Sequence, residues 1–351
     1  MAARYVSDGI PFLRSLNIKR GRIDFSSLKY IDQTFHDELS KSQLRPGDLV
    51  IVRTGDPGTA AVVPEDIGPL NCSDLVVATP HPEVDAHFLC YAINETAQDF
   101  IRAHTVGAVQ QHFNVKSAKG LVINLPPPEE QRAIAGVLRA LDGKIAVNER
   151  IAATSMKLGE ARFSQASLIA EKRVTLGDAI ELKYGKSLPA TRRIVGDVPV
   201  FGSGGISGSH NEPLVKGPGI IVGRKGTVGT IYWSESDFFP IDTTFYVACR
   251  MKGISMEYMY FTLRGSGLEH MNSDSAVPGL NRDRALAVPV NLPAAETIQR
   301  FTAEARTLFE LQRTLEDENR TLATLRDTLL PQLMSGRLRV RDAEKIVEDH
   351  A

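Results

Sequence analysis

The chain has 351 residues, of which 42% are hydrophobic and 24% are charged, and its 41 Lys and Arg balance 42 Asp and Glu. This is the composition of a globular protein of about two domains, and the near-zero net charge excludes a uniformly basic nucleic-acid-binding protein. Apolar runs are too short for a membrane helix, the start has no apolar signal segment, and the three cysteines form no CxxC pair. We therefore expect a cytoplasmic protein without membrane contact, disulfides or a thiolate zinc site.

The first half of the chain predicts a globular segment followed by a long helix. Residues 1–125 are rich in Gly, Pro and short β-branched runs such as Leu49–Val52, which predict strands joined by turns. Residues 126–170 begin with prolines, place Glu129 and Glu130 in a first helical turn and then repeat apolar residues at spacings of three and four.

The second half repeats this order. Residues 171–292 return to strands and turns, for example at Gly219–Val222. Residues 293–340 predict a second long helix, which Pro331 weakens and Ser335-Gly336 ends, and residues 341–351 form a tail.

The two halves also share landmarks in the same order. Ile123-Asn124-Leu125-Pro126 reappears as Val290-Asn291-Leu292-Pro293, and Asn114 and Asn281 keep the same separation. Upstream, the run from Pro46 to Gly55 resembles the run from Pro218 to Gly226. These landmarks indicate a duplicated unit of about 170 residues, which is far longer than a solenoid repeat.

Periodicity leaves three arrangements open for the helices: packing on their own globular segments, an intermolecular zipper, or pairing with each other inside the chain. The repeat favours pairing of the two helices with each other inside the chain, and if that pair is antiparallel the helices act as a spacer. Asn148 lies in the first seam as a polar residue that would fix the register. The predicted seam residues are Ile134, Leu138, Leu141, Ile145 and Asn148 in the first helix, and Leu308, Leu315, Leu322 and Leu329 in the second.

Motifs that carry chemistry are missing from the sequence. Gly185-Lys186-Ser187 lacks the upstream glycine of a phosphate-binding loop, and no GxSxG, HExxH or Asn-Pro-Pro-aromatic run occurs. We therefore predict no catalytic residue, no metal site and no bound cofactor in this chain. Two alternatives stay open, namely a self-contained DNA modification enzyme or nuclease with a divergent active site, and a coiled-coil scaffold that binds sugars or proteins.

Local basic patches predict contacts with nucleic acid, although each residue taken singly also fits an ordinary solvated surface. Amide side chains near these patches are of the type that reads base edges. The candidate DNA-binding residues are Lys19, Arg20, Arg22, Arg53, Gln110, Gln111, Asn114, Lys186, Arg192, Arg193, Arg224, Lys225, Asn281 and Arg282.

The ordered set of motifs resembles the specificity subunits of type I restriction-modification systems. The residues that carry the resemblance are Tyr5-Val6 with Gly9–Leu13, Pro46-Gly47-Asp48, Leu125–Gln131, Leu141–Ile145 and the ending Leu329–Leu338. It covers nearly the whole chain.

The resemblance implies an α+β protein in which two target-recognition domains of mixed α/β structure are separated by two long helices forming an intramolecular antiparallel coiled coil. It implies that the chain recognises a bipartite target in double-stranded DNA and performs no catalysis by itself. Two modification subunits, which bind S-adenosylmethionine and methylate adenine, would dock on the helices. Restriction subunits that use ATP and Mg²⁺ to translocate DNA would join them.

One departure concerns the first target-recognition domain. The second globular segment opens with Val174–Asp178 about twenty residues before Val198-Pro199, whereas almost nothing precedes the matching Ile10-Pro11. The first domain therefore is expected to lack its N-terminal strand, either because the chain start is truncated or because another segment, such as the C-terminal tail, completes it.

Overall fold

The structure is a computed structural model that describes residues 4–104, 112–271 and 279–349. The chain divides into two compact units. The first unit comprises Met1–Ala146 and Asn319–Ala351, and the second comprises Val147–Glu318. Each long helix therefore contributes residues to both units.

The first unit opens with short strands and helices. Its strands are β1 (Tyr5–Val6), β2 (Ile10–Leu13), β3 (Ile18–Lys19), β4 (Arg22–Ile23), β5 (Lys29–Ile31), β6 (Gln43–Leu44), β7 (Leu49–Val52), β8 (Ala60–Val62), β9 (Leu70–Cys72) and β10 (Leu75–Ala78). Its short helices are α1 (Gln33–Glu38), α2 (Ala86–Thr96), α3 (Gln98–Ala103) and α4 (Val115–Lys119). The strands form sheets in the orders β1-β5-β2-β9-β6, β10-β7-β8 and β3-β4.

The long helix α5 (Pro128–Ser167) leads into the second unit. The strands there are β11 (Lys172–Thr175), β12 (Ile180–Tyr184), β13 (Val198–Gly202), β14 (Gly205–His210), β15 (Gly219–Gly223), β16 (Ile231–Ser234), β17 (Phe239–Pro240), β18 (Thr244–Cys249) and β19 (Pro289–Leu292). The short helices are α6 (Leu176–Ala179), α7 (Met256–Arg264) and α8 (Arg282–Leu286). The sheet orders are β12-β18-β15-β16, β14-β13-β17 and β11-β19.

The second long helix, α9 (Ala295–Met334), is followed by α10 (Val340–Glu348). Pro331 lies inside α9, which continues for three residues beyond it and ends before Gly336, whose φ of 69° is left-handed. The prediction that helix formation stops at Ser335-Gly336 is therefore confirmed. No helix among the described residues is long and apolar enough to cross a membrane.

The long helices pair with each other in the first unit. Arg326 of α9 donates to Asp142 of α5 over 2.7 Å, and Asp142 also accepts a hydrogen bond from the Tyr91 hydroxyl of α2. Burial acts to lower the pKa of Arg326, but the hydrogen bond and the charge of Asp142 outweigh it, and the pKa is raised. The buried leucines of both helices share one apolar cluster with α2 and Ala343 of α10.

The helices pair in the second unit as well. Asn148 of α5 donates its side-chain amide to Glu318 of α9 over 2.8 Å. Further along α5, a side chain at Gly159 would come within 3.1 Å of Leu308, so the residue numbers on α9 fall as those on α5 rise. This order is antiparallel, and the predicted pairing inside the chain is confirmed in each unit.

The predicted seam residues differ in depth. Most are buried, whereas Ile145 and Leu308 are partly buried. The buried members are Ile134, Leu138, Leu141, Asn148, Leu315, Leu322 and Leu329.

The C-terminal tail is a helix, which corrects one of the two explanations for the expected missing strand. Ala343 of α10 is fully buried in the cluster formed with α2, α5 and α9. A helix with a buried face offers no extended edge, so α10 does not supply a strand to the first unit.

Candidate nucleic-acid interface

Matching turns in the two units place an arginine at the end of a buried strand. In the first unit, the Val52 amide donates to the Thr59 carbonyl and the Gly58 amide donates back to the Val52 carbonyl. In the second unit, Gly223, Thr230 and Gly229 make the same pair of hydrogen bonds. The turns are therefore equivalent, and Arg53 and Arg224 follow their strands at the same position.

The arginine backbones are fixed in the same way. The Arg53 carbonyl accepts from the Phe113 amide over 2.9 Å, and the Arg224 carbonyl accepts from the Leu280 amide over 2.8 Å. In the second unit the amides of Arg224 and Lys225 also donate to the carbonyl of Thr243. A segment held by several backbone bonds presents its side chains in a reproducible position, as a recognition surface requires.

Arg224 belongs to a cluster of cations and aromatic rings, which we call the Tyr184 cluster: Tyr184, Arg224, Phe245 and Arg282. The Arg224 guanidinium carbon lies 5.2 Å from the centroid of the Tyr184 ring and 5.8 Å from that of Phe245. The guanidinium carbon of Arg282 lies 5.5 Å from the Tyr184 centroid. These distances are within the range of cation–π attraction.

The Tyr184 cluster reaches solvent. Tyr184 is exposed and is the last residue of β12, and Arg224 and Arg282 are half-buried. The sequence reasoning missed Tyr184, although it is flanked by Lys183, Gly185 and Lys186. A tyrosine between lysines at a strand end is a signal for an aromatic and basic surface of the kind that binds nucleic acid.

The remaining basic candidates of the second unit fall into two groups. Lys186, Arg192 and Lys225 are exposed. Arg193 instead donates to the carbonyls of Ser207 and Leu188, so its guanidinium braces two loops. It stays a prediction that DNA is contacted by Lys186, Arg192, Arg193 and Lys225.

The two asparagines of the repeat have a structural role. Asn114 caps α4 by accepting from the Ser117 amide over 2.9 Å, and Asn281 caps α8 by accepting from the Arg284 amide over 3.0 Å. The side-chain oxygen is thus engaged with the helix N-terminus in both units. Capping accounts for the repeat of these asparagines, and their role as base-reading residues stays a prediction.

The basic candidates of the first unit lie on the β3–β4 hairpin. Lys19, Arg20 and Arg22 are exposed there. Arg20 forms an ion pair with Glu95 over 2.6 Å and also donates to the Asn94 carbonyl, so it ties the hairpin to α2. Lys19, Arg20 and Thr54 line an open cavity of about 590 Å³. Gln110 and Gln111 lie outside the described residues.

The described residues show no arrangement that would bind a metal, since no three His, Cys, Asp or Glu side chains converge among them. Burial raises the pKa of the Cys90 thiol to about 12. The pKa of the Cys72 thiol is also raised to about 12, mainly by burial and to a smaller extent by the negative charge of Asp48. Both thiols are therefore protonated at neutral pH and are poor nucleophiles.

Comparison with protein families identifies the family of this chain. The sequence profile described as "Type I restriction modification DNA specificity domain" matches twice in succession, over residues 6–154 and 171–326. The two matches together cover most of the chain. The chain belongs to this family.

Relatives of this specificity-domain family agree with the assignment. A protein named as the type I restriction enzyme MjaX specificity subunit, from Methanocaldococcus jannaschii, is 27% identical over 153 residues, covering 41% of this chain and 36% of that protein. The type I restriction enzyme EcoBI specificity subunit of Escherichia coli is 26% identical over 133 residues, covering 37% and 28%. The alignments thus span about a third of each relative.

The fold is shared with a solved specificity-domain protein. The crystal structure of a type I restriction-modification S subunit from M. genitalium superposes with a TM-score of 0.60 at 19% identity, covering 95% of this chain and 91% of that one. Two mixed α/β units linked by paired long helices are therefore the architecture of this chain.

Proposed function

We propose that this chain is the DNA-specificity subunit of a type I restriction-modification complex and that each unit reads part of a bipartite target. The observation that carries the proposal is that the DNA specificity profile matches twice in succession, in a chain whose two units contain equivalent turns bearing Arg53 and Arg224. A duplicated reader suits a target made of two separated parts.

The physical basis of DNA binding is phosphate neutralisation combined with an aromatic surface. In the second unit, Arg224, Lys225, Lys186 and Arg282 supply positive charge around Tyr184. Neutralising phosphates releases counterions, so affinity must fall as salt concentration rises.

Catalysis in this proposal belongs to other subunits. Modification subunits carrying S-adenosylmethionine would methylate adenine, and restriction subunits would use ATP and Mg²⁺. The chain would contribute the paired helices as their docking surface. Support comes from the sequence, which contains no recognisable catalytic motif.

Titration of target DNA with the purified chain and its modification subunits tests the proposal. We expect log affinity to fall linearly with log salt concentration, and Arg224→Gln to weaken binding and to reduce the slope by about one unit. Lys252→Gln is the matched control, because Lys252 is exposed and lies beyond the opposite end of β18. The control should leave both the affinity and the slope unchanged.

Turnover measurements separate the proposal from a self-contained enzyme. The chain alone, incubated with DNA, S-adenosylmethionine and Mg²⁺, should transfer no methyl group and cut no DNA, and methylation should begin when modification subunits are added. Methyl transfer or cleavage by the chain alone would contradict the proposal. DNA binding that does not depend on salt would contradict it as well.

A further inference from the structure

The second unit is built around one strand–turn–strand segment, residues 172–184, which we call the bridging segment. Its first strand, β11, pairs antiparallel with β19, and its last strand, β12, pairs antiparallel with β18. Between them, Thr175 and Asp178 form a capping box that starts α6. The bridging segment supplies five buried residues to the apolar core: Val174, Leu176, Ala179, Ile180 and Leu182.

The first unit contains both surfaces on which such a segment would lie. Leu75 of β10 is paired with Val52, just as Thr244 of β18 is paired with the equivalent Gly223, so β10 corresponds to β18. Residues 122–125 correspond to β19, because they share its Asn-Leu-Pro sequence and follow α4 as β19 follows α8.

Neither surface has a partner strand among the described residues. β10 lies at the edge of its sheet and pairs with β7 alone, whereas β18 pairs on both sides. Residues 122–125 form no strand, whereas β19 pairs with β11 over four residues. An edge strand of this kind leaves a row of backbone donors and acceptors available for another strand.

Side chains at this place are exposed where their counterparts are buried. Leu125 is 48% exposed, whereas Leu292 is 4% exposed. Ala118 of α4 is only partly buried, whereas Ala285 of α8 is fully buried under α6 and β12. The partly buried Ala78, Ala118, Leu121 and Ile123 all pack on one apolar cluster, which also contains Val76 of β10. We call the partly exposed apolar surface of these four residues the groove.

The part of the chain that the structure describes holds no further segment that could fill this groove. The bridging segment is committed to the core of the second unit, and Leu-Gly-Asp occurs once in the sequence, at residues 176–178. β1 pairs with β5, and the tail is the helix α10. The donor therefore has to come from outside these residues.

We propose that the groove of the first unit binds an extended polypeptide segment with the chemistry of the bridging segment: a strand, a Leu-Gly-Asp turn and a second strand with alternating apolar residues. The donor's first strand pairs with residues 122–125 and its second strand pairs with β10. Backbone hydrogen bonds provide affinity, and the apolar side chains that fill the groove provide specificity, as in other cases of strand addition.

The donor segment also completes the basic surface of the first unit. In the second unit, β12 ends in Tyr184, whose ring lies against Arg224. Arg53 is the equivalent of Arg224, so an aromatic residue at the end of the donor's second strand lies beside Arg53. This step rests on the proposed DNA function, whereas peptide binding in the groove does not.

A peptide with the sequence of residues 171–187 is the probe, and it is added to the 351-residue chain. We expect saturable binding by fluorescence anisotropy, and slower amide hydrogen exchange at residues 75–79 and 121–125. A control peptide with Leu176→Asp and Leu182→Asp should bind at least tenfold more weakly, because both leucines are fully buried in the second unit. No saturation at about 100 µM peptide, a free energy of roughly −5.5 kcal/mol, would overturn the proposal.

Variants of the chain locate the binding surface. Leu125→Glu and Ala118→Glu should each weaken peptide binding at least tenfold, and because neither side chain is fully buried the first unit should keep its exchange-protected core. Val195→Glu, in an exposed loop of the second unit, is the matched control and should bind the peptide normally. Unchanged binding by both groove variants would contradict the proposal.

A second copy of the chain is the competing occupant. If the chain without peptide is a dimer by light scattering and the edge of β10 is already protected, the groove is covered by that copy and the proposal is wrong. A monomer with unprotected residues 75–79 supports it. Neither measurement involves DNA, so the outcome is independent of the proposed function.

Discussion

Equivalent residues in the two units carry different neighbours. Arg53 and Arg224 share the backbone hydrogen bond that their carbonyls accept, but among the described residues only Arg224 lies against an aromatic ring from a preceding strand. A guanidinium over a tyrosine ring gains about 0.5–1 kcal/mol at an exposed site and is held in one orientation. The Tyr184 ring therefore helps to orient the Arg224 side chain in the second unit.

The buried thiol of Cys90 makes the free energy of unfolding depend on pH. Its thiol donates to the Ala60 carbonyl, and burial raises its pKa from 9.0 to about 12. Because the folded chain holds the proton more tightly than the unfolded chain, the stabilisation is fully present below pH 9 and is lost as the pH rises from 9 to 12, at up to about 1.4 kcal/mol per pH unit.

Comparing the chain with Cys90→Ala tests this coupling. The difference in the free energy of unfolding should be constant between pH 7 and 8.5 and should shrink from pH 9 to 11, because the variant has no thiol to deprotonate on unfolding. Urea denaturation at each pH, monitored by the exchange of core amides in the first unit, gives the free energy of unfolding of the parent chain and of the variant. A difference that does not change with pH would show that the thiol ionises equally in both states.

At the scale of elements, the paired helices depend on a few buried leucines. Leu315 is 7% exposed, whereas Leu311, one helical turn earlier on α9, is 38% exposed, and both belong to the second unit. Heptad spacing from Leu308 to Leu329 predicted Leu315 in the seam. Leu311 is at an edge of the same apolar stripe.

Truncating these two leucines gives a matched pair. Leu315→Ala should destabilise the second unit by about 2–5 kcal/mol, since it removes transfer free energy and leaves a cavity between packed helices. Leu311→Ala should cost less than about 1 kcal/mol, because solvent already reaches that side chain. Thermal unfolding, monitored by amide exchange within residues 295–318, measures the stability of both variants. Equal losses of stability would mean that α9 does not pack through the seam that contains Leu315.

Helices and strands were predictable to different degrees from sequence, for physical reasons. The α5 and α9 helices were predictable from the sequence, because the prolines before them, the heptad leucines and Gly336 are local signals. The Tyr184 cluster was not, because Tyr184, Arg224 and Arg282 are brought together by β12, β15 and α8, which are distant in sequence. The capping role of Asn114 and Asn281 was equally hidden, since an asparagine before a short helix and one in a reading loop look alike.

For the whole molecule, duplication explains both the likeness and the difference between the units. The repeat found in sequence reappears as equivalent turns, equivalent capped helices α4 and α8, and equivalent strands β10 and β18. The second unit adds the bridging segment, and the first unit instead packs α10 on the helices. Sequence alone indicated the missing strand, but only the strand pairing shows which edges it leaves open.

The pairing of α5 with α9 sets a condition on changing the length of these helices. Asn148 is paired with Glu318, and Gly159 lies beside Leu308, so Ala152 of α5 lies near the level of Thr314 of α9. Seven residues inserted after Ala152 alone would break one of these contacts, because the antiparallel partner keeps its length. Seven residues inserted at both places preserve the heptad phase on both helices.

We expect the single insertion to destabilise the second unit and the matched double insertion to restore its melting temperature to near that of the parent chain. Seven helical residues add about 10 Å, the rise of roughly three base pairs, so the doubly inserted chain should direct methylation to sites whose unread gap is about three base pairs longer. Sequencing methylated adenines in DNA from cells that carry the chain and its partner subunits measures the gap. A stable double-insertion protein with an unchanged gap would show that the helices do not measure the spacing, whatever their role in docking other subunits.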